Sequence, residues 1–207
     1  MPFDTLRQML GHESPAFRCY YAGDRSQNLG FTAHVRHLLG EPATAAALAQ
    51  LDSQLGVAGA SLRGLFSLHD GMTLFRDTKS DAAGFELFAI ADWPSKTAEM
   101  RESLEAMGVD LADMPEWFNT GVVIGQVPES ANYFVVGTAG DSAGRLYYVD
   151  HDGFVEDPIA DDAEALMDSL IVDPAQFMYD RGCYTRYSDG ETNKQWIPKQ
   201  YVNAASS

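Results

Sequence analysis

Leu65-Phe66-Ser67-Leu68-His69-Asp70-Gly71-Met72-Thr73-Leu74-Phe75 divides the chain. Leu62, Leu65 and Phe66 share one face at helical spacing, and Gly71 suits the left-handed position that closes a helix. The stretch reads as the end of an amphipathic helix, a tight polar turn and the first residues of a strand. The chain before it reads as mainly helical, and the chain after it as rich in strands.

Working back towards the N-terminus, Pro42 suits the first turn of a helix that runs through Leu55 and stops at Gly56, with Leu48, Leu51 and Leu55 as its buried stripe. A second helix, from about Ala60 to His69, leads into the turn. Residues 31–39, with Phe31, Val35, Leu38 and Leu39 apolar, predict a short helix ending at Gly40. The segment from Glu13 to Gly30 is polar with embedded Phe17, Tyr20 and Tyr21, and reads as an irregular arm. Residues 3–11 predict one more short helix, with Leu6, Met9 and Leu10 on one side.

Working forward, Phe85-Glu86-Leu87-Phe88-Ala89-Ile90 predicts a strand. Asp92-Trp93-Pro94 opens a helix with Met100, Leu104 and Met107 inward and Gly108 as its stop. Met114 to Phe118 reads as an aromatic-anchored turn. Three β-prone runs come next, Val122–Val127, Tyr133–Val136 and Leu146–Val149, separated by turn residues and spaced as in an antiparallel meander. Asp152-Gly153 marks a hairpin into Phe154-Val155. Helices are expected from about Asp161, with Ala163, Leu166, Met167 and Leu170 inward, and again from Asp173-Pro174 to near Gly182. The tail from Tyr184 reads as polar and frayed at its end. One α+β domain over residues 1–207 is the economical organisation. It comprises a packed arm (1–41), a core (42–181) and a tail (182–207), with a mostly antiparallel sheet flanked by helices.

Composition narrows the class. The chain has 207 residues, 45% of them hydrophobic, with 11 Phe, 9 Tyr and 3 Trp, which is enough for one sizeable core and excludes a disordered polymer. No apolar run approaches the roughly 18 residues that cross a bilayer, and the N-terminal residues lack the pattern of a signal peptide. Cys19 and Cys183, far apart, read as reduced thiols, which points to a cytoplasmic protein. The formal charge is −16, which repels nucleic acid and anionic lipid and would steer a basic partner inward, although acidity also serves solubility alone.

Chemistry-bearing motifs are few. His-Asp-Gly occurs at 69–71 and at 151–153, and His-Asp doublets ligate metals in phosphohydrolases. A metal-dependent hydrolase built on His69, Asp70, Asp150, His151 and Asp152 is therefore one reading. The other is that Asp-Gly merely serves a helix stop and a hairpin turn, and this is the one adopted: no metal, no cofactor and no catalytic residue are expected. A calcium loop centred on Gly153 fails, because Tyr148 and Ile159 would occupy positions that need oxygen ligands. His34 and His37, three apart on the expected helix, would share a face there as surface or packing residues. No dinucleotide fingerprint, phosphate-binding loop or nucleophile elbow is present. Cys19 and Cys183 read as inert thiols, since nothing local suggests a lowered pKa.

Two stretches together resemble the SUKH superfamily, which includes a fungal cell-wall assembly regulator and bacterial immunity proteins. One is Leu65 to Phe75. The other is Val127 to Phe154, containing Val127-Pro128-Glu129-Ser130-Ala131-Asn132-Tyr133-Phe134 and then Gly144-Arg145-Leu146-Tyr147-Tyr148-Val149-Asp150-His151-Asp152-Gly153-Phe154. The resemblance spans roughly residues 42–181. It implies a mostly antiparallel sheet flanked by helices and a binding protein without an active site. Bacterial members typically block a cognate toxin, often a nuclease, whereas fungal members are signalling adaptors, and both expectations stand here.

Charge supplies the candidate surface. From Leu146 to Asp180 the chain carries ten acidic residues and no Lys or Arg. Helix N-termini and turns attract acids, which accounts for Asp152, Asp161, Asp162, Glu164 and Asp173 but not for the missing bases. Asp150, Asp152, Glu156, Asp157, Asp161 and Asp162 are the expected partner-binding residues, facing a basic protein such as the groove of a toxin domain.

Overall fold

The computed structural model describes residues 3–23, 30–80, 82–151, 153–154, 157–181 and 187–203, the side chains of 153 and 154 excepted. In chain order the elements are α1 (Asp4–Leu10), β1 (Pro15–Tyr21), β2 (Gly30–Leu39), α2 (Ala45–Leu55), α3 (Ala60–Phe66), β3 (Met72–Asp77), β4 (Phe85–Leu87), α4 (Trp93–Ala106), α5 (Glu116–Thr120), β5 (Val122–Val127), β6 (Asn132–Val136), β7 (Leu146–Asp150), β8 (Gly153–Phe154), α6 (Ala163–Val172), α7 (Pro174–Asp180) and β9 (Trp196–Asn203). The strands form one nine-stranded sheet in the order β8-β7-β6-β5-β4-β3-β2-β1-β9. Every pairing between named strands is antiparallel. The α+β class and the antiparallel meander are as the sequence predicts.

The meander strands read as continuous apolar runs because both of their faces are covered. All of β6 is buried, as are Leu146 to Val149 of β7, so the usual in–out alternation disappears. Phe85 and Phe134 meet edge to face at 4.8 Å, and Phe177 of α7 packs against both. Trp117 lies parallel to Tyr147 with ring centroids 4.2 Å apart. The expected turn at Met114–Phe118 is in part the short helix α5, whose Trp117 and Phe118 are buried.

The N-terminal reading needs correction. Residues 31–39 are not a helix but lie within strand β2, and the arm at 13–30 contains strand β1. Phe31, Val35, Leu38 and Leu39 do fit helical spacing. The deciding pattern is the two-residue alternation in which Ala33 and Val35 are buried while Thr32, His34 and Arg36 are exposed. Gly30 to His34 pair with β1, and Val35 to Leu39 pair with β3. The C-terminal tail is corrected too: Tyr187, Trp196 and Ile197 are buried, and β9 pairs along the whole of β1. Residues 182–186 and 204–207 lie outside the described residues, with the helix stop expected near Gly182 and the frayed end.

Smaller corrections have local chemical causes. Helix α2 begins at Ala45 because the Thr44 side chain caps it by accepting the Ala47 N–H, which leaves Pro42 outside the first turn. The strand expected through Ile90 stops at Leu87. Met107 is 53% exposed and caps α4 rather than facing inward. Helix α3 ends at Phe66, so Gly71 does not close it. Its φ of +86° instead belongs to the turn into β3, where a Cβ would stand 2.9 Å from the Ala89 nitrogen.

Candidate functional site

The first His-Asp-Gly turn is a structural joint, and in the second it is His151 that is held by the core. At 69–71, His69 Nδ1 donates to the Gly40 carbonyl at 2.8 Å, and the Asp70 carboxylate accepts the Ile90 N–H at 2.9 Å. The Asp70 N–H reaches the Glu41 carbonyl at 2.7 Å, and the Gly40 N–H reaches that of Gly71 at 2.9 Å. This turn therefore ties the loop before α2 to the segment after β4.

At the second turn, Asn132 does the holding. Its Oδ1 accepts the His151 N–H at 3.1 Å and the His151 Nδ1–H at 2.6 Å. Its amide donates to Tyr148 Oη, which donates in turn to the Arg181 carbonyl at 2.6 Å. Asn132 is 4% exposed, so this polar chain from β6 through β7 to the end of α7 is satisfied inside the core. The sequence offered one signal for it, a polar residue beginning an otherwise apolar strand.

The sheet does not bring the two turns together. Met72, Leu87, Gly125, Phe134 and Tyr148 form one row across five adjacent strands. Because the strands alternate in direction, β3 and β7 run the same way. His69 to Gly71 precede the start of β3, whereas His151 lies beyond the end of β7. They are separated by four strand spacings, about 19 Å, and lie at opposite ends of the strands. One metal cannot be shared between His69 or Asp70 and Asp150 or His151. Among the described residues no three His, Cys, Asp or Glu side chains are grouped to hold a metal ion. His34 and His37 do not share a helix face: His34 is exposed and His37 half-buried on β2.

The expected acidic surface runs along one border of the sheet. β8 is the terminal strand, and residues 159–160 take over the outer side of β7 near its start. There the Ile159 N–H bonds to the Leu146 carbonyl at 2.8 Å and the Leu146 N–H to the Ala160 carbonyl at 2.9 Å. Asp150 ends β7, while Asp161 and Asp162 follow Ala160 at its beginning, so the acids span roughly 14 Å of sheet edge, and Asp157 is exposed just before Ile159. Asp162 caps α6 by accepting the Ala165 N–H at 2.8 Å. Asp161 pairs with Arg145 at 3.5 Å, an exposed contact that neutralises little. Asp152 and Glu156 lie outside the described residues.

No helix among the described residues is long and apolar enough to cross a membrane. Compared with known proteins, the chain matches no family model, and no curated protein matches it.

Proposed function

We propose that this chain is a SUKH-like protein-binding module, cytoplasmic and non-catalytic, that neutralises a basic toxin domain by stoichiometric occlusion. The observation that carries the proposal is the acidic border at β7 and the start of α6, within a segment of ten acids and no Lys or Arg. Such a border accelerates encounter with a basic partner and disfavours nucleic acid. The antiparallel sheet flanked by helices, and the meander from Val127 to Phe154, are consistent with the resemblance. The hydrogen bonds that engage His69, Asp70 and His151 in holding the chain together favour binding over hydrolysis.

The test is affinity capture of the tagged protein from its native lysate, washed first at low and then at high salt. The immunity reading expects one basic protein released by salt, encoded beside this chain. Recovery of several unrelated signalling proteins would favour the adaptor.

A further inference from the structure

A cavity of about 380 Å³ lies at the corner where α6 gives way to α7. A single residue, Asp173, joins the helices and caps α7 by accepting the Gln176 N–H at 3.1 Å. Phe177, 4% exposed, lines the cavity, and beside it stands Val172, 84% exposed and the last residue of α6. Val172 thus presents an aliphatic side chain to solvent where the largely buried edge of Phe177 reaches the groove. Asp168, Asp173 and Asp180 line the same cavity, with Asp180 accepting a hydrogen bond from Gln176 Nε2 at 2.7 Å. The cation lining the groove is Arg181, whose guanidinium lies over the rings of Phe177 and Tyr148 at 5.0 and 5.6 Å.

We propose that this groove seats an amphipathic basic segment of a partner protein, an aliphatic side chain resting on Val172 and Phe177 while flanking Lys or Arg residues meet Asp168, Asp173 and Asp180. The proposal rests on the partner-binding reading and adds to it the anchoring point and the pattern of the partner. Charge complementarity selects the occupant: a carboxylate rim repels phosphate backbones and anionic lipid, and an apolar seat within it favours a segment with both characters. The β7 border steers the encounter, and the groove supplies the apolar contact that slows dissociation.

A fluorescein-labelled amphipathic peptide of leucine and lysine tests this by anisotropy, with backbone amide shifts locating its contacts. The expected result is shifts at Ser169, Val172 and Gln176. Val172→Ser should weaken binding about tenfold through loss of two buried methyl groups. Val57→Ser, at a 93% exposed valine outside the groove, should leave binding unchanged. Asp168→Asn with Asp180→Asn should weaken it several-fold and flatten its salt dependence. If Val172→Ser and Val57→Ser bind alike, or the peptide does not bind, the groove is not the seat. Shifts confined to residues 150–162 would overturn the groove and leave the acidic border standing. Both valines are exposed, so neither substitution threatens folding.

Discussion

His37 on β2 accepts the backbone N–H of Phe75 on β3 through Nδ1, at 3.2 Å. Phe75 needs the help. Its φ of +56° places a buried aromatic residue in the left-handed region, at a cost of roughly 1–2 kcal/mol. Its carbonyl is held from the other side by the Tyr187 hydroxyl at 3.2 Å, and its ring meets those of His37, Phe17 and Tyr201. The pairing of β2 with β3 slips by a residue there, between Arg36 and Leu38. His37 thus fixes a bulge in the half of β2 that pairs with β3.

Acid should undo this joint. Burial, with a smaller contribution from the nearby charge of His12, pushes the His37 pKa down to about 4. The unfolded imidazole takes up its proton near pH 6.5, whereas the folded one resists until about 4. The stabilisation is therefore complete above about 6.5 and falls away as the pH drops towards 4. Urea unfolding at pH 7 and pH 5 should show a loss of about 2 kcal/mol from this group. His37→Gln, which can still accept from Phe75 but does not titrate, should lack that component. Equal losses in both proteins would show that His37 is not its source.

Asp77 is a buried carboxylate that organises two distant segments. It accepts the Lys79 N–H at 3.2 Å, the Ser80 N–H at 3.1 Å and the Ser188 N–H at 3.0 Å, besides the Ser80 hydroxyl at 2.7 Å. Asp77→Ala leaves three backbone donors without their acceptor and should cost about 3 kcal/mol or more. Urea unfolding of the variant at pH 7 measures it, and a cost under about 1 kcal/mol would mean that the C-terminal segment does not depend on this carboxylate.

Gly71→Ala should destabilise by about 2 kcal/mol, since the new Cβ meets backbone at a left-handed φ. Asp70→Ala, which deprives the Ile90 N–H of its acceptor, should cost about 1–2 kcal/mol. Because both residues belong to one turn, their costs in the double variant should fall short of additive. Strict additivity in thermal unfolding would argue against a single joint.

The Cys19 thiol, 3% exposed, is pushed up to about 12, chiefly by burial and also by the Asp77 charge. In a Cys183→Ser background, Cys19 should react with a disulfide reagent at pH 8 only as fast as the protein unfolds. A rate near that of a free thiol would place Cys19 on the surface.

The sequence carried the meander and the helices around it because long apolar runs and Asp or Pro caps are local signals. Helix α6 is an example, with Asp162 at its cap and Leu166, Met167 and Leu170 inward. Residues 31–39 misled because the same apolar residues satisfy a helical spacing, and only pairing with β1 and β3 selects the strand. The tail misled for a related reason: β9 carries Lys199 and Gln200, which read as loop until β1 supplies the partner. Asn132, His37 and Asp77 owe their roles to contacts with residues 16, 38 and 111 positions away, and no spacing rule reaches that far. The acids of the candidate surface were legible as charge, but their alignment along one sheet edge requires the topology.

Whether the acidic border docks a basic protein is decided by the affinity of the captured partner for two proteins. One is the wild-type chain, and the other is the combined Asp150→Asn, Asp157→Asn, Asp161→Asn and Asp162→Asn variant, each titrated across a range of salt. Docking at the border predicts wild-type binding that weakens steeply as salt rises, and variant binding that is weaker at low salt with a shallower slope. Equal affinities and equal slopes for the two proteins would contradict it.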